Sequence, residues 1–453
     1  MAVDTATYSF ADLLSNIVDN RGKTCPVAED GLPLIATNCV KNETLFPVFE
    51  KVRYVDQETY DTWFRGHPEP GDMIFVTKGS PGNVCWTPDP VNFCIAQDMV
   101  AIRANRDIVD PKYLFALLRS PMTQSRILNM HVGTLIPHFK KGDFKNLFFE
   151  IPKDQGLQRA IGEIYFSFCE KIELNRQMNA TLEAMAQARF KSWFVNFDPV
   201  IDNALAAGNP IPEPLHARAE ARKALGDQRK PLSEAIQKQF PCRFVINEDM
   251  GWVPEGWDML PLDKIANYQN GLALQKFRPE NEDDYLPVVK IAQLKKGWAD
   301  GEEKASPNIK PECIIDDGDV VFSWSGSLVV DVWCGGKAAL NQHLFKVTSK
   351  IYPKWFFYQF TNHHLHEFQR IAADKAVTMG HIKREHLSKA LCSTPDSGLL
   401  DSVGKMFDAL MRRGIANRVE SRLLEETRDT LLPKLLSGQL RIPDAEKRVA
   451  EAI

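Results

Sequence analysis

No two of the nine cysteines stand in a C-x-x-C pair, and their odd number leaves no complete disulfide framework. Neither a zinc ribbon nor an oxidised scaffold is therefore expected. No run of about 18 apolar residues occurs, which excludes a helical membrane span. The stretch Met1 to Phe10 lacks the charged and apolar regions of a secretory signal. A cytoplasmic protein that meets no membrane is the expectation. Charge is also nearly silent: 55 basic against 59 acidic residues give a formal net charge of -4, so any nucleic acid would have to be met by local basic patches or through partners.

The signatures of self-contained catalysis are missing as well. No phosphate-cradling G-x-x-x-x-G-K-[ST] occurs, and Lys191-Ser192 sits in a helical pattern without a glycine loop. The [DN]-P-P-[YF] segment expected beside the cofactor of an amino-methylating enzyme is approached only by Asp198-Pro199. His363-His364-Leu365-His366-Glu367 does not fit H-E-x-x-H; three close histidines on an otherwise polar helix read as solvated or capping residues rather than as metal ligands. No catalytic residue and no metal ligand is assigned.

What the chain does have is helical periodicity of unusual length. Ile161, Ile164, Phe168, Asn175, Met178, Leu182 and Met185 follow the three-then-four rhythm of a heptad seam. Adding 242 to Ile161, Phe168, Asn175 and Leu182 gives Val403, Leu410, Asn417 and Leu424, so the seam recurs, polar asparagine included. Two such helices invite pairing, and an asparagine at a seam position can fix their register. Phe190, Trp193 and Phe194 read as outward residues available to partner helices.

The rest is duplicated too. With 453 residues and 44% hydrophobic content the chain can bury several cores. Gly71-Asp72 leads into a strand at Met73, as Gly318-Asp319 does at Val320. The loop Lys78-Gly79-Ser80 answers Ser325-Gly326-Ser327; Gln97 answers Gln342; Pro111-Lys112-Tyr113 answers Pro353-Lys354-Trp355; His138-Phe139-Lys140-Lys141 answers His381-Ile382-Lys383-Arg384. The offsets stay between 242 and 247, so a globular domain followed by a long helix occurs twice.

These repeated landmarks are the candidate binding residues: Lys78, Gly79, Ser80, Gln97, His138, Lys140 and Lys141 in one half, Ser325, Ser327, Gln342, His381, Lys383 and Arg384 in the other. Small loop residues permit close backbone approach while the cations meet phosphate; the competing reading is solvated hairpins and basic turns. The glutamines could bond adenine edges or brace strand ends. Trp324 reads as loop packing, with base stacking as the alternative.

Gln158-Arg159-Ala160-Ile161, Lys171 to Arg176, Asn179 to Met185 and Phe190 to Val195 resemble the central helical region of type I restriction-modification specificity subunits, and Arg428 to Leu440 resembles the end of their second helical region. The resemblance implies target-recognition domains at 1–155 and 251–397, a central helical spacer at 156–197, a linker with short helices at 198–250, and a C-terminal helical spacer and tail at 398–453. The fold class is α/β (α+β), with the two domains separated by an antiparallel coiled coil. It also implies double-stranded DNA as partner, with each domain reading one half of a split target and the helices acting as ruler. Two methyltransferase (M) subunits and restriction (R) subunits are the protein partners. S-adenosylmethionine, ATP and Mg are expected there, with no cofactor in this chain. The alternative is a non-catalytic coiled-coil scaffold with two protein-binding domains, which would lack the steep salt dependence of phosphate contacts.

Overall fold

The computed structural model describes residues 3–20, 24–130, 137–226, 232–374 and 380–452. Residues 131–136, just ahead of the His138-Phe139-Lys140-Lys141 landmark, lie outside them. The chain divides into two compact units, Met1–Asn175 with Glu420–Ile453, and Arg176–Val419, so each long helix, Gln155–Phe190 and Ser397–Leu436, gives one part to each unit.

In the first unit β1 (Thr5–Ser9), β2 (Leu14–Val18), β3 (Leu32–Ile35), β4 (Arg53–Val55), β5 (Met73–Val76), β6 (Val84–Trp86), β7 (Cys94–Ile95), β8 (Met99–Ala104) and β9 (Phe148–Pro152) form three small sheets, ordered β2-β8-β5-β6, β4-β3-β7 and β1-β9. The second unit holds β10 (Phe244–Asn247), β11 (Gly251–Pro254), β12 (Asp258–Pro261), β13 (Asn267–Asn270), β14 (Leu286–Val289), β15 (Lys304–Ala305), β16 (Ile314–Ile315), β17 (Val320–Ser323), β18 (Val330–Val332), β19 (Ala338–Leu340), β20 (Leu344–Thr348) and β21 (Leu391–Thr394). Its sheets are β13-β20-β17-β18, β15-β14-β19-β16 and β12-β21, with β10-β11 as an added hairpin. The order β2-β8-β5-β6 corresponds to β13-β20-β17-β18 and β4-β3-β7 to β15-β14-β19, with β16 an added edge strand in the second unit. Even the parallel pairing recurs, β3 with β7 and β14 with β19.

The central strand explains the layering. Met73 and Phe75 enter one core while Ile74 and Val76 enter another, because successive side chains of a strand leave opposite faces. Val320 and Phe322 are likewise separated from Val321. The aspartate before each strand closes its turn and pins a cation from the next strand. Asp72 accepts from the Glu69 N–H at 2.8 Å and from Arg103 Nε at 2.8 Å, and Asp319 accepts from the Asp316 N–H at 2.8 Å with Lys346 Nζ at 2.8 Å.

The first long helix docks on its domain through a glycine. A Cβ on Gly162 would stand 2.5 Å from the Tyr113 backbone nitrogen, so only glycine lets the helix meet the start of Pro111–Arg119. Gly404, 242 residues on, faces Trp355 Nε1. Within the first unit the helices run antiparallel: Cys169 meets Arg428 and Asn175 donates to Glu420 Oε2 at 2.8 Å and Ser421 Oγ at 3.3 Å. Ile161, Tyr165, Phe168 and Ile172 share a core with Leu424, Leu431 and Leu435. In the second unit Asn417 donates to Asn179 Oδ1 at 2.9 Å, and Asn179 donates to the Gly414 carbonyl at 3.2 Å.

Four local readings need correction. The positions interleaved with Ile161, Phe168, Asn175 and Leu182 are Tyr165, Ile172, Asn179 and Ala186; Met185 is exposed and Met178 only half-buried. The seam follows four-then-three spacing, and it admits Asn179 because Gly414 opposite leaves room and a carbonyl. Phe190, Trp193 and Phe194 are not outward: a π-turn at Lys191–Val195 rotates them into the second unit, where Phe194 is ringed by Trp257, Trp355, Phe356 and Phe407. The helix carrying His363 to Glu367, Lys354–Asp374, is not polar, since Trp355, Phe356, Phe357, Phe360 and Phe368 are buried along it. Residues 198–250 pack into the second unit, with Arg218 clamping the buried Asp198 through two hydrogen bonds of 2.5 and 2.8 Å.

Phe194→Ala should cost about 3–5 kcal/mol of stability, whereas Leu423→Ala, at an exposed helical position, should stay within about 0.5 kcal/mol; urea unfolding of the full chain reads both. A pH effect follows from His364, whose imidazole is pulled down to about 4 by burial and the neighbouring His363 while it bonds the Leu391 carbonyl at 3.0 Å. The unfolded chain takes up that proton first, near pH 6.5. Stability is therefore lost as pH falls from about 6.5 toward 4, by up to about 3 kcal/mol, and is unaffected above. His364→Gln, which keeps an N–H donor, should lose less stability between pH 7 and 5 than the unaltered chain; equal losses would remove His364 from this role.

Candidate nucleic-acid interface

Three segments of the first domain converge beyond the end of β5. The Thr77 and Lys78 N–H groups donate to the Asp98 carbonyl at 3.0 and 3.2 Å. Lys78 forms an isolated bridge with His138, flanked by Phe139 N–H to the Thr77 carbonyl at 2.9 Å and Gly79 N–H to the Pro137 carbonyl at 3.0 Å. Gly79 and Gly82 have φ of +90° and +96°, which the tight loop requires. Phe139 and Phe144 are fully buried and stack at 5.4 Å, so the basic segment is anchored by its rings while Lys140 and Lys141 are left at the surface.

The second domain repeats the anchor with other side chains. Ser325 bridges His381, flanked by Ile382 N–H to the Trp324 carbonyl at 3.0 Å and Gly326 N–H to the Gly380 carbonyl at 2.8 Å. Ile382, buried, takes the place of Phe139. The Trp324 N–H donates to the His343 carbonyl at 3.3 Å, and its Nε1 donates to the Gln342 carbonyl at 3.2 Å. Trp324 is thus a half-buried strut for this turn, its ring 5.7 Å from His343 and 6.4 Å from His381.

The candidate residues differ in what they can offer. Gly79, Ser80, Ser327, Gln342, Lys140 and Lys383 are exposed. Lys140 has no ion-pair partner among the described residues, while Lys141 pairs with Asp19 at 2.6 Å and Lys383 stands 3.8 Å from Glu385. Lys78 is half-exposed, 3.9 Å from Asp98. His138 and His381 are half-buried at their bridges. The Arg384 guanidinium donates to the Tyr268 carbonyl at 3.0 Å and lies over Phe345. Ser325 is buried, with its hydroxyl 2.9 Å from His343 Nδ1. Gln97 turns its amide oxygen inward, buried and without a partner among the described residues. Two neighbours not chosen as candidate contacts, Asp98 and His343, hold the turns together through their carbonyls. The signal for them was one step away, each following the repeated glutamine.

The arrangement offers anchored loops, exposed cations and polar tips, which suit phosphate and base-edge contacts. Among the described residues no group of three or more His, Cys, Asp or Glu side chains could hold a metal ion. Comparison with known proteins identifies the family. The family described as Type I restriction modification DNA specificity domain matches residues 29–184 and again 254–397. The chain is 27% identical over 408 residues to the HindI type I restriction enzyme specificity subunit of Haemophilus influenzae, spanning 82% of this chain and 86% of that one. It is 21% identical over 351 residues to the MjaIX specificity subunit of Methanocaldococcus jannaschii, spanning 75% and 71%. A solved type I restriction-modification S subunit from M. genitalium shares the fold, with a TM-score of 0.50 over 96% of both chains at 14% identity.

Lys140→Ala should weaken duplex binding at every sequence and reduce the slope of log affinity against log salt by about 0.9, the value of one phosphate contact. Lys141→Ala should change the slope less, because Asp19 already occupies that cation. Equal slopes for Lys140→Ala and the unaltered chain would make Lys140 a solvated side chain.

Proposed function

The chain belongs to the type I restriction modification DNA specificity family, and on that premise we propose that it reads a two-part target in double-stranded DNA, one part with each recognition domain. The observation that carries this reading is the duplicated anchor. The Lys78–His138 and Ser325–His381 bridges fix two loops in the same way while the side chains they present differ. Two similar frames with different tips suit two different half-targets. Contacts through Lys78, Lys140 and Lys383 supply sequence-independent affinity, and the loop tips supply choice.

The chain selects and its partners react. In this reading two methyltransferase subunits, one for each domain-and-helix module, bring S-adenosylmethionine, and restriction subunits bring ATP- and Mg-dependent cleavage. The complex works in the cytoplasm. Exposed Leu174, Met185 and Leu423 on the long helices provide apolar side chains for docked subunits to cover. No helix among the described residues is long and apolar enough to cross a membrane.

Replacing residues 1–155 with the matching segment of a family member that has another target should change one half of the recognised sequence and preserve the other. Mapping the methylated motif of the reconstituted complex measures this. A chimaera that changed both halves, or neither, would refute the modular reading, and duplex binding indifferent to salt would favour a protein-binding scaffold.

A further inference from the structure

The turn between the two main sheets of each domain carries, at equivalent positions, groups of opposite hydrogen-bonding character. Residues 96–98 link β7 to β8, and residues 341–343 link β19 to β20. Asp98 and His343 are counterparts, because each accepts through its carbonyl the N–H of the residue that opens the bridged loop, Thr77 at 3.0 Å and Trp324 at 3.3 Å. The backbones share one frame and the side chains differ. The Asp98 carboxylate is 41% exposed, accepts no hydrogen bond among the described residues, and has Lys78 Nζ 3.9 Å away. The His343 imidazole is held at Nδ1 by the buried Ser325 hydroxyl at 2.9 Å. With Ser325 as donor the ring proton sits on Nε2; the Gln342 amide nitrogen, 3.4 Å from that atom, is itself a donor, so in this tautomer the exposed Gln342 side chain turns its amide aside.

We propose that Asp98 and His343 are the paired specificity positions of the two domains. Asp98 accepts from a base amino group such as cytosine N4 in one half-target, and His343 donates to a purine acceptor such as guanine O6 or N7 in the other. The inference rests on the reading of the chain as a DNA specificity subunit. Its physical case is exclusion as much as attraction. A carboxylate brought into a groove loses water and is stable there only opposite a donor; opposite guanine O6 or thymine O4 it meets a second acceptor. Lys78 offsets repulsion from phosphates without covering the carboxylate oxygens. The Nε2–H of His343 imposes the reverse rule and rejects amino edges. Gln97, its amide oxygen turned inward, leaves Asp98 as the group in reach on the first turn.

The test uses the full chain assembled with its methyltransferase subunits, on the target that the complex methylates, scanned one base pair at a time. Asp98→Asn is near-isosteric at an exposed site, and its amide can both donate and accept. It should reduce discrimination at one base pair of one half-target by about 5- to 150-fold, the range of a good base contact, with the salt dependence unchanged. His343→Asp should switch the preference at one base pair of the other half-target from an acceptor-bearing to an amino-bearing base, while His343→Gln, which keeps a donor and reports on folding, should retain the original preference. Uniform weakening at all base pairs, changes in both halves from one substitution, or unaltered discrimination would overturn the assignment while leaving the specificity role intact. A wild-type complex that discriminates no sequence would overturn that role itself.

Discussion

An amide buried in an apolar helix seam costs free energy unless its donors find partners, and that constraint sets how the long helices pair. Asn175 bonds Glu420 and Ser421 opposite it, and Asn179 bonds the Gly414 carbonyl and the Asn417 amide. A slip by one residue would leave these groups unpaired at about 1–3 kcal/mol each. Leucines alone would tolerate several registers; the asparagines select one. In each unit the recognition domain is docked on the same helices, so the polar pairs also fix what the domains are built upon.

The docking is as specific as the pairing. Gly162 brings the first helix into backbone contact with the start of Pro111–Arg119, and Gln158, fully buried, completes the joint by accepting from the Asp110 N–H at 2.8 Å and donating to the Pro152 carbonyl at 2.7 Å. From there the order is short: the docked helix supports β8 and β5, the end of β5 carries the loop, and the loop is tied to the basic segment. Position is passed from seam to loop through buried groups, which have little freedom to absorb error.

Much of this was legible in the sequence because it rests on periodicity and repetition. Met73 to Val76, Val84 to Trp86 and Val320 to Ser323 are apolar runs bounded by turn residues, and each is a strand. The duplicated plan survives as sheet orders that correspond except for the added edge strand β16 in the second unit. What was not legible depends on choices hydrophobicity does not encode. Met185 outranks Ala186 on any apolar scale, yet the helix turns Ala186 inward, since the seam follows geometry and close packing favours the small residue. The aromatic cluster Phe190, Trp193 and Phe194 reads as a partner surface until the π-turn shows that it faces its own domain. Gln97 is the better base reader by residue type, but the strand end points its amide oxygen inward and leaves Asp98 outside.

The same anchors explain how a recognition surface can vary without endangering the fold. The bonds that hold both loops are made by backbone groups, Thr77 and Lys78 N–H to the Asp98 carbonyl, Trp324 N–H to the His343 carbonyl, and the pairs flanking each bridge. Any residue except proline at a donating position supplies those groups. Side chains at Asp98, Ser80 and Ser327 can therefore change at small cost in stability, and His343 at the cost of its hydrogen bond to buried Ser325, whereas Phe139, Phe144 and Ile382, which bury the rings and methyls behind the basic segments, cannot. Folding information and sequence information sit on alternate residues of the same few segments. A chain with a net charge of only -4 then draws its affinity for nucleic acid from a few surface cations on two small faces whose tips differ.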